Sequence, residues 1–195
     1  MPQQRKQRSP PDVIDGFTAR RRHLPHWEEP GRTYFITFGL RDPPTCDLTR
    51  QDLASVIVGA LRHFNGERYR LCDYTVMPDH VHAIIQPIAT DSECEPLFRI
   101  MHSLKSWTAN RVNERLGRTG ALWEQETYNH LIRNESDYKE KARYIWLNPV
   151  VRGLTRDPAK WPWTGNGQVR ERGTDEDRLQ RAADGEGEDM TDGVQ

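Results

Sequence analysis

At 195 residues, with 35% hydrophobic content and a mean hydropathy of −0.88, the chain has room for one domain and carries more polar sequence than a compact domain needs. Its formal net charge of −1 excludes a globally basic nucleic-acid binder, so a DNA footprint has to come from local clustering. Three cysteines without Cys-x-x-Cys spacing fit a reducing cytosol and argue against a structural zinc site; with no long apolar run and no signal-peptide core, we expect a soluble, cytoplasmic protein that does not enter a membrane.

Residues 1–24 hold six Arg or Lys against two Asp and end in Arg20-Arg21-Arg22, so they read as a flexible basic arm able to add sequence-independent attraction to phosphate. The body, residues 25–164, is charge-neutral, with 18 basic and 18 acidic side chains. Residues 33–40 are rich in Tyr, Phe, Ile and Thr and predict a strand, in which Gly39 marks a candidate bulge. Thr49 is the expected N-cap of a helix through His63, with Leu53, Val56, Ile57, Ala60 and Leu61 at helical spacing, and Asn65-Gly66 ends it. Residues 70–77 read as a strand, and the Pro78-Asp79 turn leads into the next strand as a hairpin. A second helix is expected over residues 96–116, its buried side made by Leu97, Ile100, Met101, Leu104, Trp107, Thr108, Val112 and Leu116, with Gly117 as its cap. Lys105 and Arg111 fall on opposite flanks of that stripe. A strand with irregular ends follows over residues 122–132, including Trp123 and Tyr128.

A third helix is predicted from an N-cap at Ser136, with Asp137 in its first turn, to Asn148, where Pro149 disfavours helical geometry. Tyr138, Ala142 and Ile145 make its apolar face; Asp137, Lys141, Tyr144 and Asn148 make a polar one. Trp161-Pro162-Trp163 is expected to fold back onto the body. From Gly165 onward four Arg face nine acids and apolar residues are sparse, so residues 165–195 read as a disordered acidic tail. The order β-α-β-β-α-β followed by a helix predicts an α+β, ferredoxin-like split β-α-β fold: an antiparallel sheet with two helices on one face and the tyrosine-bearing helix on the other.

Two stretches carry chemistry. In His80-Val81-His82-Ala83-Ile84-Ile85-Gln86, strand alternation puts His80, His82, Ile84 and Gln86 on one face, so the two imidazoles form two-thirds of a metal site. In the third helix, Tyr144 and Asn148 are four residues apart, which brings a phenol and a carboxamide oxygen to one place. Among the nearby tyrosines, Tyr138 is expected in the core and Tyr128 as an aromatic packing group or base-stacking platform, leaving Tyr144 as the nucleophile candidate.

His80-Val81-His82 with Tyr144-x-x-x-Asn148 resembles the HUH single-tyrosine transposases of bacterial insertion sequences. Leu24-Pro25-His26-Trp27, Tyr34-Phe35-Ile36-Thr37-Phe38, Val76-Met77-Pro78-Asp79, Leu122-Trp123-Glu124-Gln125 and Tyr144-Ile145-x-x-Asn148-Pro149-Val150 narrow the resemblance to the REP-associated tyrosine transposases (RAYT, IS200-like), in order from about Leu24 to Trp163. Related enzymes carry Gln where this chain has the shorter Asn148. The resemblance implies a metal-dependent single-stranded DNA endonuclease and strand transferase that binds hairpins of the REP-like palindromic type and works through a 5′-phosphotyrosine on Tyr144. His80, His82 and Asn148 would hold Mg²⁺ or Mn²⁺. Lys141, Arg143, Lys105, Arg111 and Tyr128 are the candidate DNA contacts. Monomer and homodimer both stay open, as does the alternative of a catalytically silent hairpin-DNA-binding protein of the same fold. A histidine-triad hydrolase would want a histidine where Ile84 stands, and a metal-dependent TIM barrel needs about 250 residues.

Overall fold

The β-branched run of β3 (His80–Pro87) is the middle strand of the sheet, buried on both faces because elements cover it from either side. The structure, a computed structural model, describes residues 31–43, 45–89 and 94–167. The basic arm, the Leu24-Pro25-His26-Trp27 motif and residues 168–195 lie outside the described residues. Around β3 stand β1 (Tyr34–Gly39), β2 (Tyr69–Val76), β4 (Tyr128–Leu131) and β5 (Thr164–Asn166), in the order β4-β1-β3-β2-β5 with every neighbouring pair antiparallel. Helices α1 (Gln51–His63) and α2 (Leu97–Leu116) cross over between strands, and α3 (Glu135–Val151) follows β4. This is the expected split β-α-β arrangement with one extra edge strand.

Period-two alternation sorts the side chains. Val81, Ala83 and Ile85 point into the larger core with Ile36 and Phe38 of β1, Leu53 and Ile57 of α1, and Ile100, Leu104 and Val112 of α2. The opposite face carries a smaller core of Phe35, Ile84, Ile132 and Ile145, against which Tyr138, Ala142, Tyr144 and Cys72 pack. So α3 covers the histidine face of the sheet and α1 and α2 the other.

Several local expectations are corrected. Arg50, not Thr49, is the N-cap of α1, and it makes no side-chain cap bond; Thr49 instead donates its N–H and its hydroxyl to Asp47 Oδ1. No bulge falls at Gly39, which pairs in register with His80; the irregularity lies in β2 between Leu71 and Asp73. Trp107 is 48% exposed, because a large ring on the flank of the α2 stripe reaches past the core. The strand expected over residues 122–132 shrinks to β4 plus an isolated bridge between Leu40 and Trp123. The N-cap of α3 is Asn134, whose side chain accepts from Asp137 N–H, and the helix runs through Pro149 to Val151. Pro149 sits in the last turn, where its missing N–H forfeits one bond, while Arg152 N–H to Asn148 O (3.0 Å) and Leu154 N–H to Pro149 O (2.9 Å) close the end. Finally, Gly165 and Asn166, expected in the tail, belong to β5. Asn65 Nδ2 donates to Gly167 O (2.7 Å) and Gly167 N–H to Cys72 O (3.1 Å). Trp161 and Trp163 do fold back: Trp161 Nε1 donates to Val76 O (3.1 Å), and Val76 N–H to Trp163 O (3.0 Å).

Candidate active site

The site starts from one row of cross-strand partners. Tyr128 opposes Thr37, Thr37 opposes His82, His82 opposes Thr75, and Thr75 opposes Thr164, so a line of polar side chains crosses all five strands on the α3 face. Thr75 and Thr164 share a hydroxyl–hydroxyl bond of 2.7 Å, and Thr37 Oγ1 lies 2.7 Å from His82 Nδ1. His80 enters one step along β3, its Nδ1 2.6 Å from Asp79 Oδ1. The two outer nitrogens then meet: His80 Nε2 is 3.0 Å from His82 Nε2.

This pairing constrains the protons. The Asp79 carboxyl is held below its usual range, first by its bond to His80, so it is an ionised acceptor and His80 Nδ1 is the donor to it. Whenever His80 is neutral, its Nε2 points a lone pair at His82. Burial drives His82 well below the ordinary histidine value, with repulsion from His80 and then Arg152 adding to it, so His82 is the neutral imidazole. Thr37 can accept from Nδ1 or donate to it, and so supports either tautomer of His82. With Nδ1 protonated, two lone pairs face each other across 3.0 Å, a geometry that calls for a cation between them. Two nitrogens each about 2.1 Å from one ion, at a right angle, stand about 3.0 Å apart.

Helix α3 brings the remaining groups. Asn148 is buried, with Nδ2 3.3 Å from His82 Nε2, while its Oδ1 is buried without a hydrogen-bond partner. The amide oxygen and nitrogen are told apart only by their bonding, and exchanging them turns the orphaned oxygen toward the histidine pair. The donor set of two imidazole nitrogens and one amide oxygen thus fits a divalent ion. Among the described residues no group of three or more His, Cys, Asp or Glu side chains could hold one, so Asn148 or a ligand from outside has to complete the shell. The Tyr144 ring lies edge-on to His82 (5.2 Å between centroids) and to Phe35 (5.9 Å), and Phe35 stacks on His82 (5.4 Å). Burial raises the Tyr144 pKa; a hydrogen bond from Asn148 and the charge of Arg152 pull it back.

Comparison with known proteins extends this geometry. No family model matches the chain. A candidate REP-associated tyrosine transposase of Haemophilus influenzae is 26% identical over 144 residues, 69% of this chain and 79% of that protein. The REP-associated tyrosine transposase of Escherichia coli K12 is 25% identical over 135 residues, 69% of this chain and 76% of that protein. The chain is thus similar to REP-associated tyrosine transposases over about two-thirds of its length. A REP-associated tyrosine transposase solved bound to a REP hairpin shares the fold, with a TM-score of 0.58 and 22% identity over 76% of this chain and 82% of that one.

Four expected site residues, His80, His82, Tyr144 and Asn148, come together at the sheet–α3 seam. Tyr128 lies at the edge of the same row, 37% exposed and edge-on to Phe35 at 6.4 Å. The candidate DNA contacts divide. Lys141, expected as a DNA contact, is 4% exposed and bonded to Glu140 Oε1, so it is buried instead of open to a strand. Arg143 is exposed. Lys105 donates to Gln125 O, Glu126 O and Thr127 Oγ1, tying down the loop before β4. Arg111 pairs with Glu114 and lies over the Trp107 ring on α2, across the sheet from the histidines. Four contributors were not singled out from sequence: Thr37, Phe35, Asp79 and Arg152. The first two carry a readable signal, since strand alternation places Phe35 and Thr37 on one face of β1.

Proposed function

We propose that the chain is a metal-dependent HUH-type nuclease and strand transferase that acts on single-stranded DNA bearing a REP-like hairpin, with Tyr144 as nucleophile. The observation that carries this reading is the convergence of His80 Nε2 and His82 Nε2 at 3.0 Å beneath the Tyr144 ring, with the buried Asn148 amide beside them and its oxygen without a partner. The names of the relatives, and the hairpin bound by the protein of the same fold, support the substrate class.

His80, His82 and Asn148 would hold the divalent ion. Mixed nitrogen and oxygen ligation suits Mn²⁺, with Mg²⁺ the alternative by availability. Such an ion, when bound, polarises a phosphodiester oxygen and offsets the charge that develops on it. The protein's own groups do the rest. Asp79 and Thr37 fix the two imidazoles, and Phe35 and His82 hold the phenol ring in place. Tyr144 Oη forms a bond to phosphorus as the bond to the 3′ oxygen breaks; the phenol loses its proton and the leaving oxygen gains one. The products are a 5′-phosphotyrosine and a 3′-OH, and because the ester bond energy is kept in the protein–DNA linkage, the strand can be rejoined without ATP.

The test is mass spectrometry of the peptide that stays attached to DNA after reaction with hairpin oligonucleotides carrying a single-stranded flank. The adduct should map to Tyr144, require a divalent ion, and vanish in Tyr144→Phe while hairpin binding persists. Binding without any adduct from the unaltered protein would instead mark a catalytically silent hairpin binder. An adduct on Tyr128 or Tyr138 refutes the assignment.

A further inference from the structure

Arg152 is the C-cap residue of α3, exposed at the end of the helix that covers the histidine face. It stands one turn beyond Asn148 and two turns beyond Tyr144, so helical spacing extends the Tyr144–Asn148 line by one more side chain. Its guanidinium acts electrostatically on groups from three elements: Asp79 in the turn before β3, His82 in β3 and Tyr144 in α3. Among the described residues it is the one Arg or Lys that reaches all three in this way. A phosphodiester entering between Tyr144 and the histidine pair would come within the electrostatic reach of this guanidinium, one turn beyond Asn148.

We infer that Arg152 grips the anionic oxygens of the phosphodiester presented to Tyr144, and so positions the strand as well as attracting it. A guanidinium is suited to this because its planar fork can bond two phosphate oxygens at once. The inference rests on the proposed DNA substrate, and it adds a binding residue that the two motifs do not contain.

The experiment separates the two claims by reading binding without chemistry. In EDTA and on a Tyr144→Phe background, the affinity for a short oligo(dT) strand is measured against salt concentration for the parent, Arg152→Ala, Arg152→Lys and, as a control on the opposite face of the sheet, Arg115→Ala, an exposed position on α2. Loss of one phosphate contact should lower the slope of log affinity against log salt by about 0.7 on a single strand. Arg152→Ala should show that drop with a severalfold weaker affinity at low salt, Arg152→Lys should restore most of the slope, and Arg115→Ala should match the parent. If Arg152→Ala lowers the melting temperature, the comparison of Arg152→Lys with the parent carries the test, with the slope kept and the affinity reduced by loss of the second bond. An unchanged slope and affinity in Arg152→Ala overturns the inference, and so does an equal loss in Arg115→Ala, which would mean diffuse charge attraction. A parent that binds no single strand overturns this inference together with the DNA reading, whereas measurable binding that ignores Arg152 overturns this inference alone.

Discussion

Thr37 and Asp79 show how much of a two-histidine site depends on side chains outside its motif. Each imidazole is held at Nδ1 by a neighbour, leaving Nε2 to the common point. Outer partners of this kind are worth about 10- to 100-fold in metal affinity. Thr37→Val keeps β-branching, so β1 should survive, but His82 loses the oxygen that holds its ring at Nδ1. The expected outcome is Mn²⁺ affinity about 10-fold weaker by calorimetric titration, with the melting temperature of the metal-free protein within a few degrees of the parent. An unchanged affinity would mean that Thr37 does not orient His82. Tyr138 gives the contrasting case. Its hydroxyl donates to Asp73 Oδ2 at 2.7 Å, and both burial and that bond push its pKa up, away from a nucleophile's needs. Tyr138→Phe should cost about 1 kcal/mol in chemical denaturation, because Asp73 loses a partner, and should leave adduct formation intact. Loss of the adduct in that variant, with the fold retained, would contradict the helical-face assignment of Tyr144.

Elements explain what was legible and what was not. Alternation in β3 and the four-residue spacing in α3 are local rules with strong apolar contrast, so the faces of both elements were readable, and with them the meeting of His80 and His82 with Tyr144 and Asn148. The bulge in β2 was not readable: Cys72 is an extra residue with no apolar pattern to mark it. Yet it changes parity, so that Leu71 opposes Ile85 on the helical side while Asp73 opposes Ile84 on the α3 side, within reach of Tyr138. Lys141 departs from its expected place for a related reason, since sequence shows the charge and the adjacent Glu140 but not that the lysine turns inward with that partner. Strand β5 was invisible because Thr164-Gly165-Asn166 has loop composition. Its glycines are needed for close approach: a Cβ on Gly167 would stand 1.8 Å from Leu71 O, and one on Gly165 would stand 2.6 Å from Tyr74 Oη. Gly167→Ala should therefore detach the end of β5 and lower the melting temperature by several degrees. Truncation after Trp163 should do at least as much, because it removes β5 and the Thr75–Thr164 bond. If truncation after Trp163 leaves the melting temperature unchanged, the pairing of β5 with β2 contributes nothing to stability.

At the scale of the whole molecule, the sheet divides labour between its faces. The larger core with α1 and α2 supplies most of the buried apolar surface, which frees the α3 face to carry polar rows and a second, smaller core. Among the described residues no helix is long and apolar enough to cross a membrane. Electrostatics then has to work locally, since the body is neutral and the net charge is −1. Residues 168–195 matter to this balance through composition alone: they carry nine acids and four Arg, so a chain ending at Gly167 would have a net charge of +4. A polyanionic strand approaching that shortened chain meets less repulsion, and the difference should be screened once the Debye length falls to about 3 Å near 1 M salt. Truncation after Gly167 keeps β5 and its bonds to Asn65 and Cys72, so the melting temperature should hold while single-strand affinity at low salt rises severalfold. The gain should shrink as salt increases and disappear in the molar range. A gain that persists at high salt would point to direct competition between those residues and DNA for one surface, and a weaker affinity after truncation would mean that residues 168–195 help to hold the strand.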